Sequence, residues 1–112
     1  GKGIAIVLKD ADLDLAARKI VEGNLSNAGQ RCDAIATVLV EKEVAGQLIA
    51  KIIDNEKKWT LGNPMDTGTD MGPLINEGAA KRVESLVQDA VQKGAKLVLG
   101  GHRNGCYFEP TV

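Results

Sequence analysis

The residues best suited to chemistry lie in one run, Asn27-Ala28-Gly29-Gln30-Arg31-Cys32-Asp33-Ala34. Cys32 follows Arg31 directly. A thiol attacks as its thiolate, and a neighbouring guanidinium favours that anion. Cys32 therefore has two readings: a nucleophile presented by a loop, or a free cysteine buried as a small hydrophobe. Arg31 has three. It can tune the thiol, pair with a carboxylate such as Asp33, or contact a substrate, and its planar fork suits a phosphate. A carboxylate at Asp33 would oppose the thiolate if it pointed inward, so an outward or arginine-paired side chain is the favoured placement. Asn27 and Gln30 can hold the loop through hydrogen bonds to backbone. Gly29 suits a special backbone angle or a close approach.

Regular elements must position that run. Ile4 to Leu8 is an unbroken apolar stretch, the pattern of a strand buried on both faces of a parallel sheet. Asp10, Asp12 and Asp14 crowd the start of the next segment, where a carboxylate can cap free amides. Leu13, Ala16, Ala17, Ile20 and Val21 then recur at helical spacing. Cys32 falls after this helix and before a second strand, Ala36 to Val40. Val44, Ala45, Leu48, Ile49, Ile52 and Ile53 make a wide apolar stripe on a second helix of about four turns. From Thr60 to Asn76 the composition turns to Gly, Pro, Asp and Thr, a long loop that calls for a functional or packing reason. Asn76 can cap a third helix bearing Ala79, Ala80, Val83, Leu86, Val87 and Ala90 on one face, with Lys93 and Gly94 closing it. Ala95 to Leu99 is expected as a third strand, before the turn-rich stretch Gly100 to Gly105. Strands alternating with helices predict an α/β fold, an open, mostly parallel sheet with flanking helices and function on the loops beyond the strand ends.

Composition narrows the function classes. The 112 residues have 44% hydrophobic and 26% charged residues, as a soluble globular domain has. A formal net charge of -1 argues against a nucleic-acid or polybasic membrane partner. No apolar run approaches the roughly 20 residues that span a bilayer. Two cysteines 74 positions apart are no disulfide framework, which points to a reducing, cytoplasmic setting. With His102 the only histidine, no metal site is expected. Cys106, after Gly105 in a turn, is assigned no chemistry. Gly100-Gly101 lacks the spacing and context of a dinucleotide fingerprint. Arg82, beside Lys81 and Glu84, reads as part of a solvated helix face.

Five words, in order, resemble one family. Gly29-Gln30-Arg31-Cys32 resembles the Gly-Gln-x-Cys signature around the catalytic cysteine of the aldehyde dehydrogenase superfamily. Gly1-Lys2 with the following apolar run and Asp10-Ala11-Asp12-Leu13-Asp14 resembles the segment leading into that cysteine. Gly62-Asn63-Pro64, Gly72-Pro73-Leu74-Ile75 and Pro110-Thr111-Val112 are similar to the family's later turns. Gln30 to Ala34 looks most like the archaeal-type non-phosphorylating glyceraldehyde-3-phosphate dehydrogenases. The resemblance implies an oxidoreductase using NADP or NAD, with Cys32 as nucleophile forming a thiohemiacetal and then a thioester. It also implies a glycolytic aldehyde as small-molecule substrate, Arg31 and Asp33 on the substrate side, and Arg82 where some relatives contact the cofactor's adenosine side.

By the same comparison, residues 1–112 are part of the catalytic domain. The partners expected are the nucleotide-binding domain of a longer parent chain and further copies in a homo-oligomer. The chain opens at Gly1 without a methionine and closes at Val112 within an extended-looking segment, as expected of an excised piece. Two alternatives stand beside this: a semialdehyde or lactaldehyde dehydrogenase of the same superfamily, and a non-catalytic α/β packing domain.

Overall fold

The computed structural model describes residues 1–112. Two compact units follow one another along the chain, Gly1–Lys58 and Trp59–Val112.

In the first unit, strand β1 (Gly3–Val7) leads into helix α1 (Leu13–Leu25). The Asp12 carboxylate caps that helix, accepting from the backbone N–H groups of Asp14 and Leu15 at 3.1 and 3.0 Å. This satisfies two of the amides a helix leaves without partners. A turn over Ser26–Gly29 and the Cys32 loop follow, then strand β2 (Ile35–Val40) and helix α2 (Lys42–Glu56). β1 and β2 pair in parallel, Ala5 opposite Val38 and Val7 opposite Val40. Helix α1 packs on α2 and on β2. Val7, Ala17, Ile20, Val21, Leu25, Leu48 and Ile52 are all buried.

The expectation of a strand buried on both faces does not hold. Ile4 and Ile6 are 60% and 70% exposed, and Leu39, paired with Ile6, is open too. Paired residues of parallel strands share a face. One face, with Ala5, Val7, Val38 and Val40, is covered; the other, with Ile4, Ile6, Thr37 and Leu39, is bare. A continuous apolar run shows that both faces can be buried, but covering the second one needs a layer that these residues do not supply.

In the second unit the long loop has a packing reason. Thr60 and Asp70 close it: Met71 N–H donates to the Thr60 carbonyl at 3.1 Å and Gly62 N–H to the Met71 carbonyl at 3.0 Å. Met71 is buried. Helix α3 (Glu77–Gln92) is capped by Asn76, whose side chain accepts from Ala79 N–H at 2.8 Å, and ends at Lys93 before Gly94 at φ 99°. Only Ala80 of its apolar stripe is fully buried, and Leu86 is exposed. The expected strand at Ala95–Leu99 does not form. Ala95 N–H turns back to the Ala90 carbonyl of α3, Val98 and Leu99 bond only with Val112, and no neighbour runs along the segment. A strand needs a partner over its length. The pairing occurs later, in a hairpin of β3 (Arg103–Asn104) and β4 (Tyr107–Phe108), turned at Gly105 with φ 59°. No helix of the chain is long and apolar enough to cross a membrane.

Candidate functional site

Helix α1 ends at Leu25, where Ser26 turns to an extended ψ of 126°, and a left-handed turn then leads into the Cys32 loop. Asn27, Ala28 and Gly29 all take left-handed conformations, with φ of 54°, 53° and 70°. Glycine adopts this region freely and asparagine tolerates it. An alanine there costs about 1–2 kcal/mol by contact of Cβ with its own carbonyl. The turn is held by Asn27 and Gln30. The Asn27 carbonyl accepts from Gln30 N–H at 3.0 Å and from Gln30 Nε2 at 3.1 Å, while Asn27 Nδ2 donates to the Gln30 carbonyl at 3.4 Å. Both the expected backbone angle at Gly29 and the hydrogen-bonding role of Asn27 and Gln30 are thus present.

Beyond the turn, Ala34 N–H donates to the Arg31 carbonyl at 3.3 Å, and Gly3 N–H to the Ala34 carbonyl at 3.2 Å, tying the loop to the start of β1. The approach is close. A Cβ on Gly1 would collide with the Cys32 carbonyl, and one on Gly3 would lie 2.5 Å from the Ala34 carbonyl oxygen. Gly1 thus lies directly against the Cys32 backbone, and Gly3 against that of Ala34 just beyond it.

Cys32 is exposed, not buried as a small hydrophobe. Arg31 and Asp33, also exposed, pair in a fork: Nε to Oδ1 at 3.1 Å and Nη2 to Oδ2 at 3.3 Å. The Asp33 carboxylate is therefore arginine-paired, as its chemistry favoured. Exposed pairs of this kind contribute about 0–1 kcal/mol, so the Arg31 guanidinium is easily drawn to a stronger anion. The first unit brings Arg31, Cys32 and Asp33 onto one loop. Arg82 belongs to the second unit, on α3, with its side chain exposed and its carbonyl accepting from the Ser85 hydroxyl at 2.8 Å.

The whole of residues 1–112 matches the model of the aldehyde dehydrogenase family. The chain belongs to that family. A lactaldehyde dehydrogenase of Methanococcus maripaludis is 45% identical over 112 residues, which cover 100% of this chain and 24% of that protein. A 3-sulfolactaldehyde dehydrogenase of Priestia megaterium is 42% identical over 107 residues, 96% of this chain and 22% of that one. Among solved structures, the glyceraldehyde-3-phosphate dehydrogenase GapN of Methanocaldococcus jannaschii complexed with NADP superposes with a TM-score of 0.97 at 40% identity. That match covers 99% of this chain and 24% of the other. The chain thus spans about a quarter of the length of these aldehyde dehydrogenases, and its α/β fold is theirs.

Three features escaped sequence reasoning. Glu56, in the last turn of α2, is 2% exposed, its Oε2 lacks a hydrogen-bond partner, and burial raises its pKa from 4.5 to about 7. The signal was present: Leu48, Ile52 and Glu56 follow one another at four-residue intervals, on one helix face. Arg103, 19% exposed, joins the hairpin to α3 through Glu84 at 2.9 Å and Glu77 at 3.6 Å. A cleft of about 350 Å³ in the second unit is lined by Leu61, His102, Tyr107 and Glu109 among others, and by none of the expected site residues. These two features join segments distant in sequence and left no local pattern.

Proposed function

We propose that the parent protein oxidises an aldehyde to the acid with NADP or NAD as acceptor, through a thiohemiacetal and then a thioester on Cys32. Residues 1–112 would then be part of its catalytic domain. The observation that carries the reading is an exposed cysteine on a hydrogen-bonded loop, beside an arginine, in a chain of the aldehyde dehydrogenase family. The Cys32 thiolate adds to the carbonyl carbon, and the charge moves to the former carbonyl oxygen. That oxygen needs donors fixed in advance, and the family resemblance assigns the Cys32 backbone N–H as one of them. Cys32 is later released as the thiol when water cleaves the thioester.

We read the main nucleotide site as lying outside these residues, with Arg82 as a contact on the cofactor's adenosine side. The turn from β1 to α1 carries Asp10 and Asp12 and the first turn of α1 carries Asp14, whose charges oppose a pyrophosphate, and Asp12 already caps the helix start. Gly100 and Gly101 lead to a hairpin, not a helix. Arg82, exposed on α3, is no phosphate cradle by itself. Hydride acceptance by the nicotinamide is accordingly assigned to a cofactor held by other residues of the full-length protein.

The favoured substrate is glyceraldehyde 3-phosphate, with Arg31 exchanging Asp33 for the phosphate and Asp33 staying beside it. A second reading, lactaldehyde, is favoured by the Arg31–Asp33 pair itself, which gives the guanidinium an anionic partner without a substrate phosphate. The test is made in the full-length protein. Cys32→Ser should abolish turnover with cofactor binding retained, because a hydroxyl without an activating base is a poor nucleophile. Retention of a tenth of wild-type turnover would refute the reading. Cys106→Ser serves as control. Arg31→Ala should cost about 2–3 kcal/mol in kcat/KM for glyceraldehyde 3-phosphate, and much less for unphosphorylated glyceraldehyde. Equal losses on both would move the assignment to lactaldehyde.

A further inference from the structure

The left-handed turn before Cys32 is an arrangement that Gly29 takes freely, Asn27 tolerates and Ala28 does not favour. Asn27 and Ala28 both carry a Cβ and both sit near φ 54° and ψ 34°. In their preferred right-handed region the chain would leave α1 in another direction, and Cys32, four residues beyond Ala28, would be presented elsewhere. Something must hold the unfavoured form. The bonds that close the turn converge on Gln30: its backbone N–H and its carboxamide both donate to the Asn27 carbonyl, using both lone pairs of that oxygen. The Asn27 carboxamide answers with a bond to the Gln30 carbonyl. We propose that this two-way clamp, with the Gln30 side chain at its centre, is the positioning device for Cys32, holding a strained left-handed arch against relaxation. The proposal rests on Cys32 being the nucleophile. Gln30 touches neither substrate nor cofactor in it; it acts through the arch.

The arch makes the test specific. If the clamp opposes the cost of the left-handed conformation, removing that cost at Ala28 must make the clamp less necessary. In the full-length protein, Gln30→Met keeps the length of the side chain and loses its donor. It should lower kcat fivefold or more, with the aldehyde KM and the acid limb of the pH–rate profile within twofold of wild type. Adding Ala28→Gly to Gln30→Met should then recover kcat threefold or more, since glycine takes φ near +54° freely. Glycine at Ala28 also stabilises the fold in general, so urea midpoints of all variants are measured alongside, and a kcat that only follows those midpoints overturns the clamp. If Gln30→Met does not fold, Gln30→Glu, which also cannot donate from that position, is read by the same thresholds. A fall smaller than fivefold, or recovery smaller than threefold, overturns the clamp. Cys32→Ser is measured alongside. An inactive Cys32→Ser with fully active Gln30→Met refutes the clamp alone, whereas an active Cys32→Ser refutes the functional reading and the clamp with it.

Discussion

Glu56 should make the protein lose stability as pH rises, and Glu56→Gln should abolish that loss. Burial disfavours the charged carboxylate, and Oε2 finds no donor to offset the lost hydration. The folded pKa is raised from 4.5 to about 7, so between these values the folded state holds a proton that the unfolded chain has released. Stability is therefore fully present below pH 4.5 and is lost progressively as pH rises to 7. At about 1.36 kcal/mol for each pH unit, the gap corresponds to a loss of about 3 kcal/mol, an upper figure if the helix end shifts to admit water. Glutamine matches the neutral acid in shape and polarity. It should leave stability nearly unchanged at pH 4 and raise it by up to about 3 kcal/mol at pH 8. Urea titrations followed by far-UV circular dichroism at pH 4, 5, 6, 7 and 8 would measure both curves. A constant difference between variant and wild type across that range would refute the reasoning.

Gly3→Ala and Gly46→Ala should move stability in opposite directions. A Cβ on Gly3 meets the Ala34 carbonyl oxygen at 2.5 Å and should cost about 1–3 kcal/mol, whereas one on Gly46, inside α2, meets nothing within 4 Å and should add about 1 kcal/mol, both read by urea denaturation. Arg103→Met should destabilise the hairpin and α3 by about 1–3 kcal/mol, because the Glu84 partner is left less than a third exposed without its cation; hydrogen exchange at Tyr107 and Phe108 would report it. The isolated 112 residues, mixed with aldehyde and NAD(P), should give no growth of reduced-nicotinamide absorbance. Under the proposed reading the nucleotide is held by other residues of the full-length protein, and an acceptor that is not held in place forfeits several kcal/mol of proximity.

The candidate site was legible where its features are local. Gly29, flanked by small and polar residues, announced a turn that only glycine takes freely, and Asn27 and Gln30 were recognisable as its hydrogen-bonding partners. That Arg31 would turn to Asp33 followed from opposite charges two positions apart. The left-handed state of Ala28 was not legible. It breaks the preference of its own residue type and exists because the Asn27–Gln30 bonds on either side impose it. The near-contacts of Gly1 with the Cys32 backbone and of Gly3 with that of Ala34 also join residues some thirty positions apart, and no local pattern encodes them.

By itself the sequence determined the three helices, because their caps and stripes act within a few residues: Asp12 and Asn76 at two starts, Gly94 after one end, Leu48 and Ile52 on one face. It also determined the family, since five separated words agree in order. Tertiary structure alone decided which apolar residues are covered and which segments pair. Ile4 and Ile6 look as buried in sequence as Val7 does, yet burial belongs to a face and to whatever lies on it. Ala95 to Leu99 has the composition of a strand, but strands are made by partners, and Arg103–Asn104 with Tyr107–Phe108 found theirs instead. Glu56 shows the same rule from the other side. Its place four residues after Ile52 carried the signal of the covered face, but the apolar stripe ends at Ile53, and only packing settled that its carboxyl would be left there without a donor.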